Sequence, residues 1–173
     1  MTHLALLCHV PARSRSVAAD IRSKGWSITQ GLVLPGHLAQ IDAWRKEVVI
    51  PKNFRERLVC PSLEKEVANW VLAHELAHIH LHLESILQGH RTEAMERAAA
   101  DWALHYLVPA SQLRDHPDIR GMASATKSQR WARMARAAEY FQVPTAAVES
   151  AMIRYGMAQG HVYLVSDFVY LAA

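Results

Sequence analysis

Apolar positions along this chain change their spacing near residue 62, from the period of β-strands to the period of α-helices. Ahead of that point, residues 12–25 have the pattern of a short helix. Residues 26–34 alternate as a strand does, and residues 37–41 and 47–50 predict the two strands of a hairpin. The first third of the chain therefore predicts a short antiparallel sheet beside one helix.

Helical patterns dominate the rest of the chain. The first helix is predicted to begin at Ser62, whose side chain suits an N-cap, and to stop near Gly89. The later segments are helices at 92–108, 127–141 and 146–155, an irregular stretch at 111–125, and a strand or extended tail at 160–173. Together they predict an α+β fold, with a core in residues 1–110 and a helical C-terminal subdomain in residues 111–173, packed as one structural unit.

Composition agrees with a globular domain. A chain of 173 residues with 51% hydrophobic and 20% charged residues can bury one core and is too apolar to be disordered. No apolar run approaches the roughly 18 residues that cross a bilayer, and no basic segment precedes the apolar patch at the N-terminus as in a signal peptide. Cys8 and Cys60 form no CxxC pair, so we expect free thiols and a cytoplasmic protein. The net charge of +3 permits contact with nucleic acid without favouring it.

Histidines cluster in the first long helix, where the segment HELAH spans His74 to His78. Residues four apart on an α-helix project from one face, so both imidazole rings can bind one zinc ion. Glu75 lies about 100° further round the helix and can hold a water without being a ligand. The alternative is a helix whose histidines are solvated or hydrogen-bonded. However, two histidines flanking a glutamate on a largely buried helix need partners in either case.

A catalytic zinc site needs a third protein ligand and an open fourth position. The next helix offers Glu93, Glu96 and Asp101. Glu96 is the best candidate, because it lies 18 residues beyond His78 and its alanine neighbours let the two helices pack closely. We expect Glu93 to be solvated and Asp101 to hold a histidine in the required tautomer.

Three further histidines in this region are given different roles. His82 continues the face of the motif by one turn, so it is expected to support a metal-binding histidine or to pack against one. His80 points roughly the other way. Both His80 and His90 are expected to be solvated or hydrogen-bonded.

These motifs resemble the ImmA/IrrE family of metallopeptidases. The segment HELAHIHLH matches the HELGH-x-x-LH of that family, and ADWALHYLVP matches the end of its E-x-E-A-[DN]-x-F-A-x-x-L-L-M-P. Counted back from the closing proline, Glu96 falls on the first glutamate of the second motif, which implies that it is a zinc ligand. Ala98 replaces the second glutamate, and Ala100 stands where Asp or Asn is usual, so Asp101 is displaced by one residue. The resemblance spans roughly residues 15–157.

The resemblance implies a zincin-like metallopeptidase that carries one zinc ion per chain. His74, His78 and Glu96 would bind the zinc, and Glu75 would be the general base. The implied substrate is a helix-turn-helix repressor, cleaved at one site to release genes of a stress response, of mobile-element transfer or of phage induction. The reaction also needs a second donor to the developing oxyanion. The candidates for that donor are His105, His161 and Tyr163.

A non-catalytic function is the alternative. The last two helices and the FQVPT turn between them have the form of a helix-turn-helix, with basic residues along the first. The chain would then be a DNA- or protein-binding regulator or a toxin-antitoxin component. Its metal would be absent, or structural and closed by His82 or His105 as a fourth ligand. Because the basic residues are few, we expect instead a helical hairpin packed on the core, with weak nucleic-acid binding or none and no membrane contact.

Overall fold

The structure of the chain is a computed structural model and describes residues 16–122 and 124–158. Sequence predictions for Cys8, His161, Tyr163 and the tail at 160–173 lie outside the described residues. The described chain divides into two compact units between Ala103 and Leu104. We call residues 16–103 the N-terminal unit and residues 104–158 the C-terminal unit. The boundary predicted at residue 110, between a core and a helical C-terminal subdomain, stays a prediction.

The N-terminal unit contains a small mixed sheet. Its first elements are α1 (Val17–Ser23), β1 (Ser27–Gly31), β2 (Gln40–Asp42) and β3 (Glu47–Pro51). The central strand β3 pairs antiparallel with β2, so Ile41 lies opposite Val48, as the predicted hairpin requires. However, β1 pairs parallel with β3, and the prediction of a purely antiparallel sheet was wrong. The alternation of apolar residues sets which face of a strand is buried but not the direction of its partner.

The histidine-bearing helix follows two short 3-10 helices, Arg55–Arg57 and Pro61–Leu63. It is α2 (Glu64–Leu81), and a shorter helix, α3 (Leu83–Leu87), comes directly after it. The predicted N-cap at Ser62 is wrong, because Leu63 occupies that position and Ser62 lies within the second 3-10 helix. The single helix predicted up to Gly89 is also wrong. The chain leaves helical geometry at His82, whose φ is −131°.

Most of the circumference of α2 is buried, as expected of a helix in the middle of a unit. Trp70, Ala73 and Ala77 have no measurable exposure, and Leu76 is 1% exposed. The next helix, α4 (Glu93–Leu107), buries small residues such as Ala99. Helix α2 is therefore a fixed support for the side chains that it carries.

The C-terminal unit is helical. After the end of α4 it contains α5 (Ala110–Asp115), α6 (Pro117–Arg120), α7 (Lys127–Phe141) and α8 (Thr145–Arg154). The bounds of α7 are those predicted, and α8 differs from its prediction by one residue at each end. The irregular stretch predicted at 111–125 was wrong, because α5 and α6 occupy much of it. A proline precedes α5 and another begins α6, and proline starts helices as readily as it stops them.

Helices α7 and α8 form a hairpin. Thr126 and Gln129 form a capping box at the start of α7, and Gln142 ends that helix in the left-handed conformation with φ 54°. Much of α8 is buried, including Val148 and Ala151. Over the described ranges of the chain, no helix is both long enough and apolar enough to span a bilayer.

Candidate metal centre

Three potential ligand atoms converge in the N-terminal unit. His74 and His78 lie one turn apart on α2, and Glu96 lies in the first turn of α4. Oε2 of Glu96 is 3.0 Å from Nε2 of His74 and 3.3 Å from Nε2 of His78. The two Nε2 atoms are 3.1 Å apart, and the potential ligand atoms of the group all lie within 4.8 Å of one another.

The chemistry of these three atoms suits a metal ion. Two imidazole nitrogens and one carboxylate oxygen can each direct a lone pair at the same point. Hydrogen bonds among the three can satisfy only some of these acceptors, because only a protonated nitrogen can donate. A divalent cation at that point is attracted by all three at once, and this donor set is one that transition metals accept. His74, His78 and Glu96 can therefore hold a metal ion.

The group is closed on the side of the histidines and open on the side of the glutamate. His78 is fully buried, and the side chain of His74 is 14% exposed, whereas that of Glu96 is 42% exposed. The two imidazole rings meet edge to face, with centroids 4.8 Å apart. Solvent or a ligand can thus approach from the side of Glu96.

Hydrogen bonds keep Glu96 ionised. The hydrogen bond with His74, followed by that with His78, holds the pKa of the Glu96 carboxyl far below its usual value. Partial burial acts in the opposite direction but is the smaller effect. The glutamate is therefore a carboxylate over the physiological range, which is the form that binds cations.

Glu75 is the buried acid of this region. Its residue is 6% exposed, and its Oε2 atom has no hydrogen-bond partner among the described residues. An unpaired carboxylate oxygen in a buried position is costly unless a water or another ligand reaches it. Glu75 lines the same cleft as His74 and Glu96, so a water in that cleft can satisfy it.

The second nitrogens of the two histidines differ in their surroundings. Nδ1 of His78 lies 3.3 Å from Nδ1 of His82. Burial, followed by repulsion from His78, lowers the pKa of His82, so the neutral ring is favoured. In contrast, Nδ1 of His74 is buried without a hydrogen-bond partner in the described part of the chain. Asp101 is half-buried on α4 and does not bond that atom, and its predicted support of a histidine stays a prediction.

The remaining acidic and histidine candidates lie outside the group. Glu93 is exposed and pairs with Arg97 at 3.7 Å on the same helix. His80 is exposed, with its ring 5.7 Å from that of Trp102. The exposed His90 belongs to the N-terminal unit, and the exposed His105 to the C-terminal unit.

Within the described part of the chain, no fourth protein ligand joins His74, His78 and Glu96. Among the described residues, the group of potential ligand atoms contains neither His82 nor His105. The Nδ1 atom of His82 instead faces Nδ1 of His78.

The group opens into a cleft of about 580 Å³. One wall is formed by residues 36–39, which lead into β2, and the other by residues around the start of α4. The full lining is Gly36, His37, Leu38, Ala39, Val71, His74, Glu75, Arg91, Thr92, Glu93, Glu96, Arg97 and Ala100. This volume lies within the range of about 300–1,000 Å³ that is usual for ligand-binding clefts.

Sequence reasoning did not identify Arg91 or the wall at residues 36–39. Nη1 of Arg91 is 3.9 Å from Oε1 of Glu96, the oxygen that faces away from the histidines. Arg91 stands five residues before Glu96 and outside α4, so helical spacing gave no signal for this contact. For the wall there was no signal, because its role depends on how the loop packs.

Comparison with known proteins gives one result. The peptidase M78 family model, described as the IrrE N-terminal-like domain, matches residues 58–152. The matched region is more than half of the chain and includes both helices that carry the ligand atoms. No curated protein and no solved structure gives a significant match.

Proposed function

Since this chain belongs to the peptidase M78 family of IrrE N-terminal-like domains, we propose that it is a zinc-dependent endopeptidase. The observation that carries the proposal is the convergence of His74, His78 and Glu96 on one point, beside a buried Glu75. The resulting architecture would be zincin-like, with the motif on α2 and the third ligand on α4.

His74, His78 and Glu96 would hold the zinc through Nε2, Nε2 and Oε2. Two histidines and one carboxylate leave a fourth position open, and this is the usual arrangement of catalytic zinc. A zinc ion there supplies Lewis acidity for the scissile carbonyl and lowers the pKa of a water to about 7. One zinc ion per chain is therefore proposed.

Glu75 is the proposed general base. Its unpaired Oε2 accepts a proton from the water in the cleft, and the carboxylic acid then delivers that proton to the nitrogen of the leaving amine. Burial of Glu75 limits the number of waters that can reach this oxygen. Both steps use one carboxyl group, which returns to its ionised form at the end.

The substrate that we propose is a helix-turn-helix repressor. The support for this class is the resemblance of the motifs to the ImmA/IrrE family. Such a substrate would place the reaction in the cytoplasm, in a stress response, in mobile-element transfer or in phage induction. A cleft open at one side suits an extended segment of a protein chain better than a small, enclosed molecule.

Peptide cleavage tests the proposal directly. The zinc-loaded protein is incubated with the helix-turn-helix regulator encoded nearest to its gene, and fragments are followed by mass spectrometry. We expect one cleavage that a chelator abolishes and added zinc restores. If the loaded protein leaves this regulator and a panel of unfolded proteins intact, the peptidase function is wrong.

A further inference from the structure

One wall of the cleft, residues 36–39, begins in a tight turn between β1 and β2. The amide of His37 donates to the carbonyl of Leu34 at 3.2 Å, and Gly36 has a φ of +78°. Proline at the second position and glycine at the third are typical of a type II turn. The turn leads directly into residues 36–39, which line the cleft.

The tip of this turn is exposed, and only its ends are anchored by burial. Val33 on one side and Leu38 and Ala39 on the other are each less than 7% exposed, whereas Leu34 is 61% exposed. Apolar packing therefore fixes where the turn begins and ends but not the shape of its tip. A second interaction holds the carbonyl groups of the tip, in addition to the hydrogen bond between Leu34 and His37.

That interaction is made by one guanidinium group. Nη1 of Arg57 donates to the carbonyl of Leu34 at 3.2 Å and to that of His37 at 3.0 Å. Nη2 donates to the carbonyl of Val33 at 3.3 Å. A single planar, permanently charged group thus binds two carbonyl oxygens of the turn and one of the residue before it.

Arg57 is itself well fixed. Its Nε donates to Oδ1 of Asn53 at 3.1 Å, which sets the direction of the guanidinium. The short 3-10 helix that carries it is flanked by Phe54 and Leu58, which are 7% and 1% exposed. The arginine therefore connects the turn to a buried part of the N-terminal unit.

We propose that Arg57 is a positioning residue that holds the turn at 34–37 in the shape of the cleft wall and so sets the affinity for the peptide substrate. The proposal rests on the proposed peptidase function. Arg57 does not itself line the cleft among the described residues, so it acts through the backbone of the turn. A wall that is already ordered lowers the entropy cost of binding a peptide, which affects binding more than the chemical step.

The structural part of the proposal is tested by hydrogen exchange of the zinc-loaded protein. Arg57→Met removes the donors, Arg57→Lys keeps the charge without the planar fork, and Arg55→Met is the matched control on the same 3-10 helix. In Arg57→Met, we expect amides of residues 32–39 to exchange about tenfold faster than in the wild type. Arg57→Lys should lie between them, and the control should match the wild type. Equal exchange in all four proteins would show that Arg57 does not hold the turn.

The functional part is tested by steady-state cleavage of a peptide that spans the cleavage site. We expect Arg57→Met to raise KM by about tenfold, while kcat stays within about twofold and zinc content is unchanged. A lower kcat at unchanged KM, or faster exchange without any change in KM, would overturn the link to substrate. If Arg57→Met does not fold, Arg57→Lys decides by the same measurements. If the wild type cleaves nothing, the peptidase function has failed, and the exchange comparison still decides whether Arg57 holds the turn.

Discussion

The Nδ1 atoms of His78 and His82 face each other across 3.3 Å. In a hydrogen bond between these two nitrogens, one carries the hydrogen and donates it, and the other accepts it. Each ring therefore fixes the tautomer of the other. If Nε2 of His78 binds a metal, its Nδ1 carries the hydrogen and donates it to His82. His82 must then be neutral and protonated on Nε2, in agreement with its lowered pKa. The residue at the end of α2 would thereby orient a ligand in the middle of that helix.

Replacing His82 should therefore weaken zinc binding. His82→Leu keeps a side chain of similar size at this half-buried position but removes the acceptor for Nδ1 of His78. Loss of such a supporting hydrogen bond typically costs 10–100-fold in metal affinity. The measurement is competition with a coloured chelator, and His90→Ala at an exposed position is the control. Equal affinity of His82→Leu and the wild type would exclude the supporting role.

The third ligand can be identified by comparing two glutamates on one helix turn. Glu96→Ala removes an oxygen that lies within 3.3 Å of both histidines, whereas Glu93→Ala removes only an exposed partner of Arg97. We expect the zinc affinity of Glu96→Ala to fall by more than the roughly 10–100-fold of a supporting residue, and that of Glu93→Ala to be unchanged. Metal content after dialysis provides the measurement. The opposite pattern would show that Glu93, and not Glu96, is the third ligand.

Exchange of Glu75 for glutamine should separate catalysis from metal binding. Glu75→Gln keeps the shape of the side chain but removes the base, so the protein should fold, retain its zinc and lose cleavage by about 10²–10⁴-fold. His74→Ala should lose zinc and cleavage together. Elemental analysis and a cleavage assay on the same samples measure both quantities. A Glu75→Gln protein with full activity would show that another group takes the proton.

Binding of DNA by the α7–α8 hairpin should be weak. In a helix-turn-helix the second helix presents its side chains to the bases, but much of α8 is buried, including Val148, Ala151 and Met152. Fluorescence anisotropy against salt should give a log–log slope no steeper than about −4 to −5, and Arg130→Gln should make it shallower. Tight, sequence-specific binding at about 200 mM salt would contradict this and favour a regulatory function.

The pair of Asp118 and Arg136 should make the stability of the C-terminal unit sensitive to acid. Arg136 donates from Nε and Nη2 to Asp118, and these bonds lower the pKa of the carboxyl below its ordinary value of 3.8. A lowered pKa means that the pair stabilises the folded state above the ordinary pKa and that this contribution is lost as the pH falls. The free energy of unfolding in urea should therefore differ more between Asp118→Asn and the wild type at about pH 6 than at about pH 3. Arg136→Met and the variant that carries both substitutions complete a double-mutant cycle. A difference in the free energy of unfolding that grows in acid would contradict the assignment.

The candidate metal-binding group was largely visible in the sequence. The four-residue spacing of His74 and His78 follows from the helical period, and Glu96 was selected by its distance from His78 and by its alanine neighbours. The structure brings these three residues together. Their roles in catalysis stay predictions, because geometry alone does not test them.

The parts that were not visible depend on contacts between distant segments. Nothing near His82 marks a break in the helix, since neither glycine nor proline stands there. The strand order β1-β3-β2 places β3, and not β2, beside β1, and no pattern within a single strand indicates that order. Likewise, Arg57 is 20 residues from His37 in the chain, and only the folded structure shows the hydrogen bond from its guanidinium to the carbonyl of that residue. Local patterns report on one element at a time and carry little information about such long-range partners.

The division of the proposed ligands between α2 and α4 would couple metal supply to folding. His74 and His78 belong to one helix, and Glu96 to the other, with α3 and a connecting segment between them. An ion bound by all three is a non-covalent cross-link, and it binds the folded chain but finds no formed site in the unfolded one. At a free ion concentration of 1,000 times Kd, such linkage adds about 4.1 kcal/mol to the free energy of unfolding. The abundance of the protein in a cell, and not only its activity, would then follow the availability of the ion.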